Sequence, residues 1–261
     1  MSAPSPRTDL HPHPTDTSAT GLPGVTLVGG GPGAWDLITV RGMHALQAAD
    51  VILTDHLGPT GELAKLCDTG SKEIIDVSKL PYGRQVAQEK TNQLIVEHAR
   101  AGKRVVRLKG GDPYVFGRGF EELVVCRAAG VPCEIVPGVT SAVSVPAAAG
   151  IPITQRGVVH SFTVVSGHLP PGHPKSLVNW GALAKAGGTI SVIMGVRNAA
   201  AIADALLAAE MPADTPAVVI QEGTTDAQRA FRCTLGTLAE TMADNQVGSP
   251  AVYVIGDVAG L

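Results

Sequence analysis

Short apolar runs recur along the chain, each ending at glycine, aspartate or another turn former: VTLVGG, VILTD, EIIDV, RVVRL and CEIVPG. Runs of this kind, rich in valine and isoleucine, read as buried strands. Between them lie stretches with helical spacing, such as QVAQEKTNQLIVEHARAG. Strands alternating with amphipathic helices predict a mainly parallel sheet with helices on both faces. After AAAGIPITQRG the pattern changes to HSFTVVSG, TISVIMG, PAVVIQEG, RAFRCTLG and PAVYVIGD, with fewer helices between the strands. The stretch PAVVIQEGTTDAQRAFRCTLG reads as a hairpin-like pair. The expected architecture is two α/β domains, residues 25–155 with a mainly parallel sheet and residues 156–261 with a mixed one. Ligands in open α/β sheets bind beyond the carboxyl ends of the strands, so the loops there carry the candidate chemistry.

Composition changes this picture only at the start of the chain. Residues 1–24 are rich in Pro, Ser, Thr and His with almost no apolar residues, which predicts a solvated tail. His11 and His13 could bind a metal weakly there, but plain disorder is the preferred reading of the composition. The tail lacks the apolar core of a signal peptide, and the chain has no apolar run long enough to span a bilayer, so a cytoplasmic, non-membrane protein is expected. Twenty basic against 23 acidic residues leave a formal charge of −3, and aromatics make up only 3%, so neither a nucleic-acid surface nor a base-stacking platform is expected. Cys67, Cys126, Cys133 and Cys233 lack ligand spacing and read as reduced, buried thiols; no metal site is expected.

Two loops stand out. Gly29–Gly30–Gly31–Pro32–Gly33–Ala34 nearly matches the dinucleotide fingerprint, with Asp55 about where a ribose-binding acid would stand. Pro32, however, has no N–H to offer a phosphate, so the nucleotide reading is weak. The second loop, KGGDPYVFGRGFEE from Lys109 to Glu122, packs glycines, aromatics and charges more densely than a turn requires. Its glycines let a ligand approach the backbone, and Asp112 can accept hydrogen bonds. A Gly-Asp-Pro turn, with Arg118 and Glu121 paired on a helix surface, accounts for the same residues structurally.

Taken together and in order, VGGGPGAWDLIT, RLKGGDPYVFGRGFEE, PGVTSAVSVPAAAGIPITQR and VIMG resemble the tetrapyrrole methylase family, from about Val25 to the C-terminus. GGDPYVFGRGFEE followed by GIPITQR resembles the branch that acts on uroporphyrinogen III. The resemblance implies S-adenosylmethionine-dependent methylation of two pyrrole carbons, giving precorrin-2 by way of precorrin-1, for sirohaem, cobalamin or haem d1. It also implies a homodimer with the cofactor wedged between two α/β domains, and S-adenosylhomocysteine as co-product.

By motif matching, the cofactor site comprises Pro32, Gly110, Gly111, Asp112, Val115, Thr140, Ser141, Met194, Gly223 and Ala251. The resemblance makes Asp55 the proton acceptor and Lys79 a proton donor. Arg118, Glu121 and Arg156 would meet the substrate, whose eight carboxylates suit arginine forks. On residue type alone, Thr140 and Ser141 also read as a helix cap, Met194 and Ala251 as core, and Asp55, Lys79 and Arg156 as surface groups. Two departures are visible. Ala34 stands where the family usually has Asp, with Asp36 two residues on, and His56 replaces a common arginine. The competing functions are a sister methylase acting on a later corrin intermediate, a non-catalytic tetrapyrrole- or nucleotide-binding protein, and, more distantly, a dinucleotide oxidoreductase.

Overall fold

The five apolar runs of the first half pair side by side, all in parallel, in a computed structural model that describes residues 24–79 and 84–261. The expected tail lies outside the described residues except for Gly24. The strands are β1 (Val25–Gly29), β2 (Val51–Thr54), β3 (Glu73–Asp76), β4 (Val105–Lys109) and β5 (Cys133–Val136), in the order β3-β2-β4-β1-β5. Helices α1 (Val40–Ala48), α2 (Arg84–Arg100) and α3 (Gly119–Ala128) cover both faces. Leu46 of α1 packs with Val28, Ile52 and Val106 on one face, while Ile95 and Leu123 of α2 and α3 pack with Leu27, Leu53 and Val105 on the other. Burial on both faces is why these strands read as continuous apolar runs rather than alternating ones.

The loop after β1 leads to α1 on one face and the loop after β4 leads to α3 on the other. Since β1 and β4 are neighbours, their carboxyl ends diverge and open a crevice, the usual ligand position in such sheets.

The second sheet runs β6-β7-β10-β8-β9, with β6 (Phe162–Ser166), β7 (Thr189–Ile193), β8 (Pro216–Gln221), β9 (Arg229–Thr234) and β10 (Ala251–Ile255). Only β6 and β7 are parallel, so the sheet is mixed, and β8 and β9 form the expected antiparallel pair. Helices α5 (Trp180–Ala186), α6 (Ala199–Ala208) and α7 (Leu238–Asp244) cover one face around Tyr253 and Leu206. The opposite face is covered by α4 (Ser141–Ala148), which follows β5 in the chain. Ala142 and Val145 of α4 pack with Val218, Ile220, Val252 and Val254, and the Ser191 hydroxyl donates to the Ala142 carbonyl at 2.7 Å. The last helix before the crossover therefore fastens the two sheets together. The four cysteines are free, three of them buried. No helix among the described residues is long and apolar enough to cross a membrane.

Candidate active site between the two sheets

At the crevice the backbones of three loops touch directly. Gly31 and Gly111 exchange hydrogen bonds, Gly31 N–H to Gly111 O at 3.2 Å and Gly111 N–H to Gly31 O at 2.6 Å. A Cβ on Gly138, after β5, would lie 2.2 Å from Gly111 O and 2.6 Å from Gly29 Cα. Such contacts allow only glycine, and they account for the triple glycine as a packing device. Asp112 staples the junction, accepting from Tyr114 N–H at 2.7 Å and Gly138 N–H at 2.9 Å. Both of its oxygens are thus already engaged, with lone pairs to spare for a ligand.

Asp55 follows β2, beside β4. Its Oδ1 accepts from Leu57 N–H at 3.1 Å and Gly110 N–H at 3.4 Å, and its Oδ2 accepts from Arg107 Nη2 at 3.2 Å. Asp55 is half-buried, at the end of a run of buried charge: Lys109 and Arg107 both reach Glu122, whose side chain is fully buried. Burial, followed by the neighbouring Arg107 charge, pushes the Lys109 ammonium below its ordinary pKa. Motif matching did not single out Arg107, Lys109 or Glu122 as functional. The signal was present: two cations two positions apart in a central, doubly covered strand must share a buried face and need a carboxylate there.

The second sheet contributes the opposite edge. Met194 follows β7, Gly223 follows β8, and Ala251 begins the antiparallel β10 between them, so the three share one sheet edge. Of the seven non-glycine residues with positive φ among those described, five lie in loops after β4, β7 and β8: Phe116, Arg118, Met194, Glu222 and Thr224. Left-handed backbone costs roughly 1–3 kcal/mol at a non-glycine residue and gathers at functional sites. Met194, held at φ 57°, also leaves its side chain about half exposed, where an apolar residue gains little from water.

The two edges meet at the opening motif. Ala34 N–H donates to Thr224 Oγ1 at 3.1 Å, and Gly33 lies against Gly223 and Thr225. Position 34 therefore contributes a backbone donor to the junction between the sheets, a contact that any non-proline residue can make. A cavity of about 150 Å³ opens here, lined by Pro32, His56, Leu57, Pro59, Glu222 and Gly223 among others. A larger hollow of about 720 Å³ lies between α2 and α3, away from the strand ends, and is open surface.

Most of the motif-matched residues gather in this crevice. Asp55, Gly110, Gly111, Pro32 and Asp112 are linked through the contacts above, and Gly111 faces Thr140 and Ser141. Val115 N–H closes the turn onto Asp112 O. Thr140 also does what its residue type suggests, capping α4 with Oγ1 accepting from Ala142 N–H at 3.4 Å. Arg118 forks onto Glu121 at 2.9 and 2.6 Å, both side chains about half exposed, which holds the Glu121 carboxyl below its ordinary pKa. Arg156 is exposed in the turn closed by the Gln155–Val159 bridge, and no hydrogen bond or ion pair of the described residues ties it to the others. Lys79 ends a short 3-10 turn, Val77–Lys79, and its side chain lies outside the described residues.

Two open sheets sharing one crevice, floored by glycine loops and walled by strained strand ends, define a two-lobed α/β ligand-binding protein. The chain belongs to the tetrapyrrole (corrin/porphyrin) methylases, whose family model matches residues 24–239. It is 42% identical to the S-adenosyl-L-methionine-dependent uroporphyrinogen III methyltransferase of Methanosarcina barkeri, covering 91% of this chain and 92% of that one. It is 44% identical to siroheme synthase 1 of Klebsiella pneumoniae over 91% of this chain, and spans about half the length of that relative, 49%. Among solved structures it resembles uroporphyrin-III C-methyl transferase of Thermus thermophilus complexed with S-adenosylhomocysteine, with a TM-score of 0.75, 36% identity and coverage of 90% and 98%.

Proposed function

We propose that this crevice binds S-adenosylmethionine and uroporphyrinogen III and that the protein methylates two pyrrole carbons, C2 and C7, giving precorrin-2 by way of precorrin-1. The observation that carries the reading is the meeting of the Gly110–Gly111 loop with Asp55, next in sequence to His56 and Leu57, which line the cavity between the lobes. The Methanosarcina relative, similar along nearly its whole length and named for this substrate and co-substrate, supports it. The sirohaem synthases support a product destined for sirohaem.

The residues suit the co-substrate on their own chemistry. A Cβ at Gly111 would meet nothing closer than 3.9 Å, so the backbone can be approached, while exposed Met194 offers apolar surface to a thioether or sulfonium. In this reading Pro32, Gly110, Gly111, Asp112, Val115, Thr140, Ser141, Met194, Gly223 and Ala251 hold it. When bound, its sulfonium supplies the methyl group. The chain's own residues align the pyrrole carbon with that group, exclude water between the sheets, and take up the proton released once the carbon–carbon bond has formed. Asp55 Oδ is the acceptor and Lys79 the donor of a proton to the macrocycle. Arg118, with Glu121 orienting it, and Arg156 bind substrate carboxylates. Residues 25–155 form the substrate-side lobe and residues 156–261 complete the cofactor site. The working form is a cytoplasmic homodimer.

The test is incubation of purified protein with uroporphyrinogen III and methyl-labelled S-adenosylmethionine. Two labels per macrocycle in a product that oxidises to the sirohydrochlorin chromophore are expected; absence of label from that product sinks the proposal. Because the Arg118 fork must be shared with or surrendered by Glu121 when substrate arrives, Arg118→Ala is expected to raise the uroporphyrinogen KM by roughly 10-fold, about 1.4 kcal/mol of binding. Affinity for S-adenosylhomocysteine should stay unchanged, and an unaltered KM removes Arg118 from the site.

A further inference from the structure

A buried cluster of three charges, Arg107, Lys109 and Glu122, underlies Asp55. Arg107 and Lys109 point from β4 into the face covered by α2 and α3, the face that also holds the apolar cluster of Leu27, Leu53, Ile95 and Leu123. Glu122 Oε1 accepts from Arg107 Nε at 3.4 Å, Lys109 Nζ at 3.1 Å and Gln88 Nε2 at 3.1 Å, while its Oε2 has no hydrogen-bond partner among the described residues. Arg107 also donates to the Leu108 carbonyl at 2.6 Å and the Leu53 carbonyl at 3.4 Å.

Such a cluster is a poor route to stability. Desolvating several ions costs about as much as their attraction returns, and apolar side chains of like volume often serve as well. What it accomplishes here is geometric. Arg107 reaches three elements at once: β2 through Leu53 O, its own strand through Leu108 O, and the carboxylate beyond β2 through Asp55 Oδ2. Asp55 Oδ1 faces the Gly110 N–H of the cofactor loop, so one guanidinium sets the carboxylate's angle to that loop. Glu122 anchors the guanidinium from below through Nε and balances the two cations, which leaves Nη2 free to point outward.

We propose that Arg107 is a positioning residue for methyl transfer: anchored by Glu122, it holds the Asp55 carboxylate aimed at the proton it must remove, without itself touching substrate. The inference rests on Asp55 as the proton acceptor. A carboxylate free to rotate about its side-chain torsions spends little time within reach of the substrate proton, so the loss belongs in kcat and leaves binding largely intact.

The test compares Arg107→Ala and Arg107→Lys with wild type by steady-state kinetics on uroporphyrinogen III and by calorimetric titration with S-adenosylhomocysteine. Arg107→Ala is expected to lose on the order of 10²-fold in kcat, with KM and the S-adenosylhomocysteine Kd within roughly threefold of wild type. Millimolar guanidinium chloride should restore at least about a tenth of the lost rate to Arg107→Ala and none to Asp55→Asn, because a free guanidinium can refill the first gap and cannot replace the second group. Arg107→Lys keeps the charge but cannot span Leu53 O, Glu122 and Asp55 together, so at least roughly a 10-fold loss of kcat is expected even if the alanine variant does not fold. Arg107→Lys with wild-type kcat, or a parallel loss of kcat and S-adenosylhomocysteine affinity, overturns the assignment. Wild-type protein that methylates no uroporphyrinogen overturns the functional reading itself, and this inference with it; an active wild type beside an unimpaired lysine variant overturns this inference alone.

Discussion

Asp55→Asn is expected to lower kcat for uroporphyrinogen methylation by about 10²- to 10⁴-fold, the range in which a positioned general base contributes. The substitution is nearly isosteric, and its amide oxygen can still accept from Leu57 and Gly110, so the loop that Asp55 closes should survive. It loses both the capacity to take a proton and the charge facing Arg107, whose side chain is 6% exposed. Leaving a buried donor facing an amide N–H₂ costs about 1–3 kcal/mol, so a lower unfolding midpoint should accompany the loss of rate. S-adenosylhomocysteine affinity separates the two effects. It should remain within a few-fold of wild type; a Kd rising in step with the loss of kcat would mean that Asp55 only holds the loop, and a kcat within threefold of wild type would remove it as the base.

Gly138→Ala has the second large effect, on the architecture of the site. Its new methyl would sit 2.2 Å from Gly111 O, with Gly29 Cα at 2.6 Å behind it, and all of these neighbours are backbone that cannot rotate away. The ends of β1, β4 and β5 would have to separate. A destabilisation of about 3 kcal/mol is expected, at the upper end of overpacking costs. Because Gly111 forms the proposed cofactor wall, S-adenosylhomocysteine affinity should fall as well. Gly61→Ala is the control, since nothing lies within 4 Å of a Cβ there; it should shift stability by no more than about 0.5 kcal/mol. Urea unfolding and calorimetry check both. A Gly138→Ala protein with wild-type stability and affinity would show that the three strand ends have room to move.

Legibility in the sequence follows how local each cause is. The ten runs from VTLVGG to PAVYVIGD are all strands: in nine, valine or isoleucine bounded by turn formers leaves few alternatives, while RAFRCTLG has neither valine nor isoleucine and is held by its antiparallel pairing with β8. The change from a parallel to a mixed sheet is readable from the short gap between β8 and β9; the expected thinning of helices after residue 155 is not found, since three α-helices lie between the strands of each sheet among the described residues. Less readable is the company each residue keeps. Residues 141–148 belong by sequence to the first half but cover the second sheet, since that sheet's face around Val218 and Val254 needs an apolar cover and the helix lies within reach. Arg107, Lys109 and Glu122 pass as an ordinary strand end and helix start until β4 proves to be central and buried on both sides.

The glycine motif GGGPGAWD marks the division. By itself the sequence determines that no pyrophosphate loop forms there in the usual way, because Pro32 has no N–H and this holds in any fold. It also determines the strands, the loops at their ends and the family pattern, all of which depend on neighbours a few residues apart. Only the tertiary structure decides what the glycines are for: Gly29 against Gly138, Gly31 against Gly111, Gly33 against Gly223. The same holds for Ala34, whose backbone N–H meets Thr224 from 190 residues away, and for the guanidinium behind Asp55. Contacts between distant segments are set by which strands lie adjacent and which faces are covered, and that choice is made by burying both faces of each sheet rather than by any local stretch of chain.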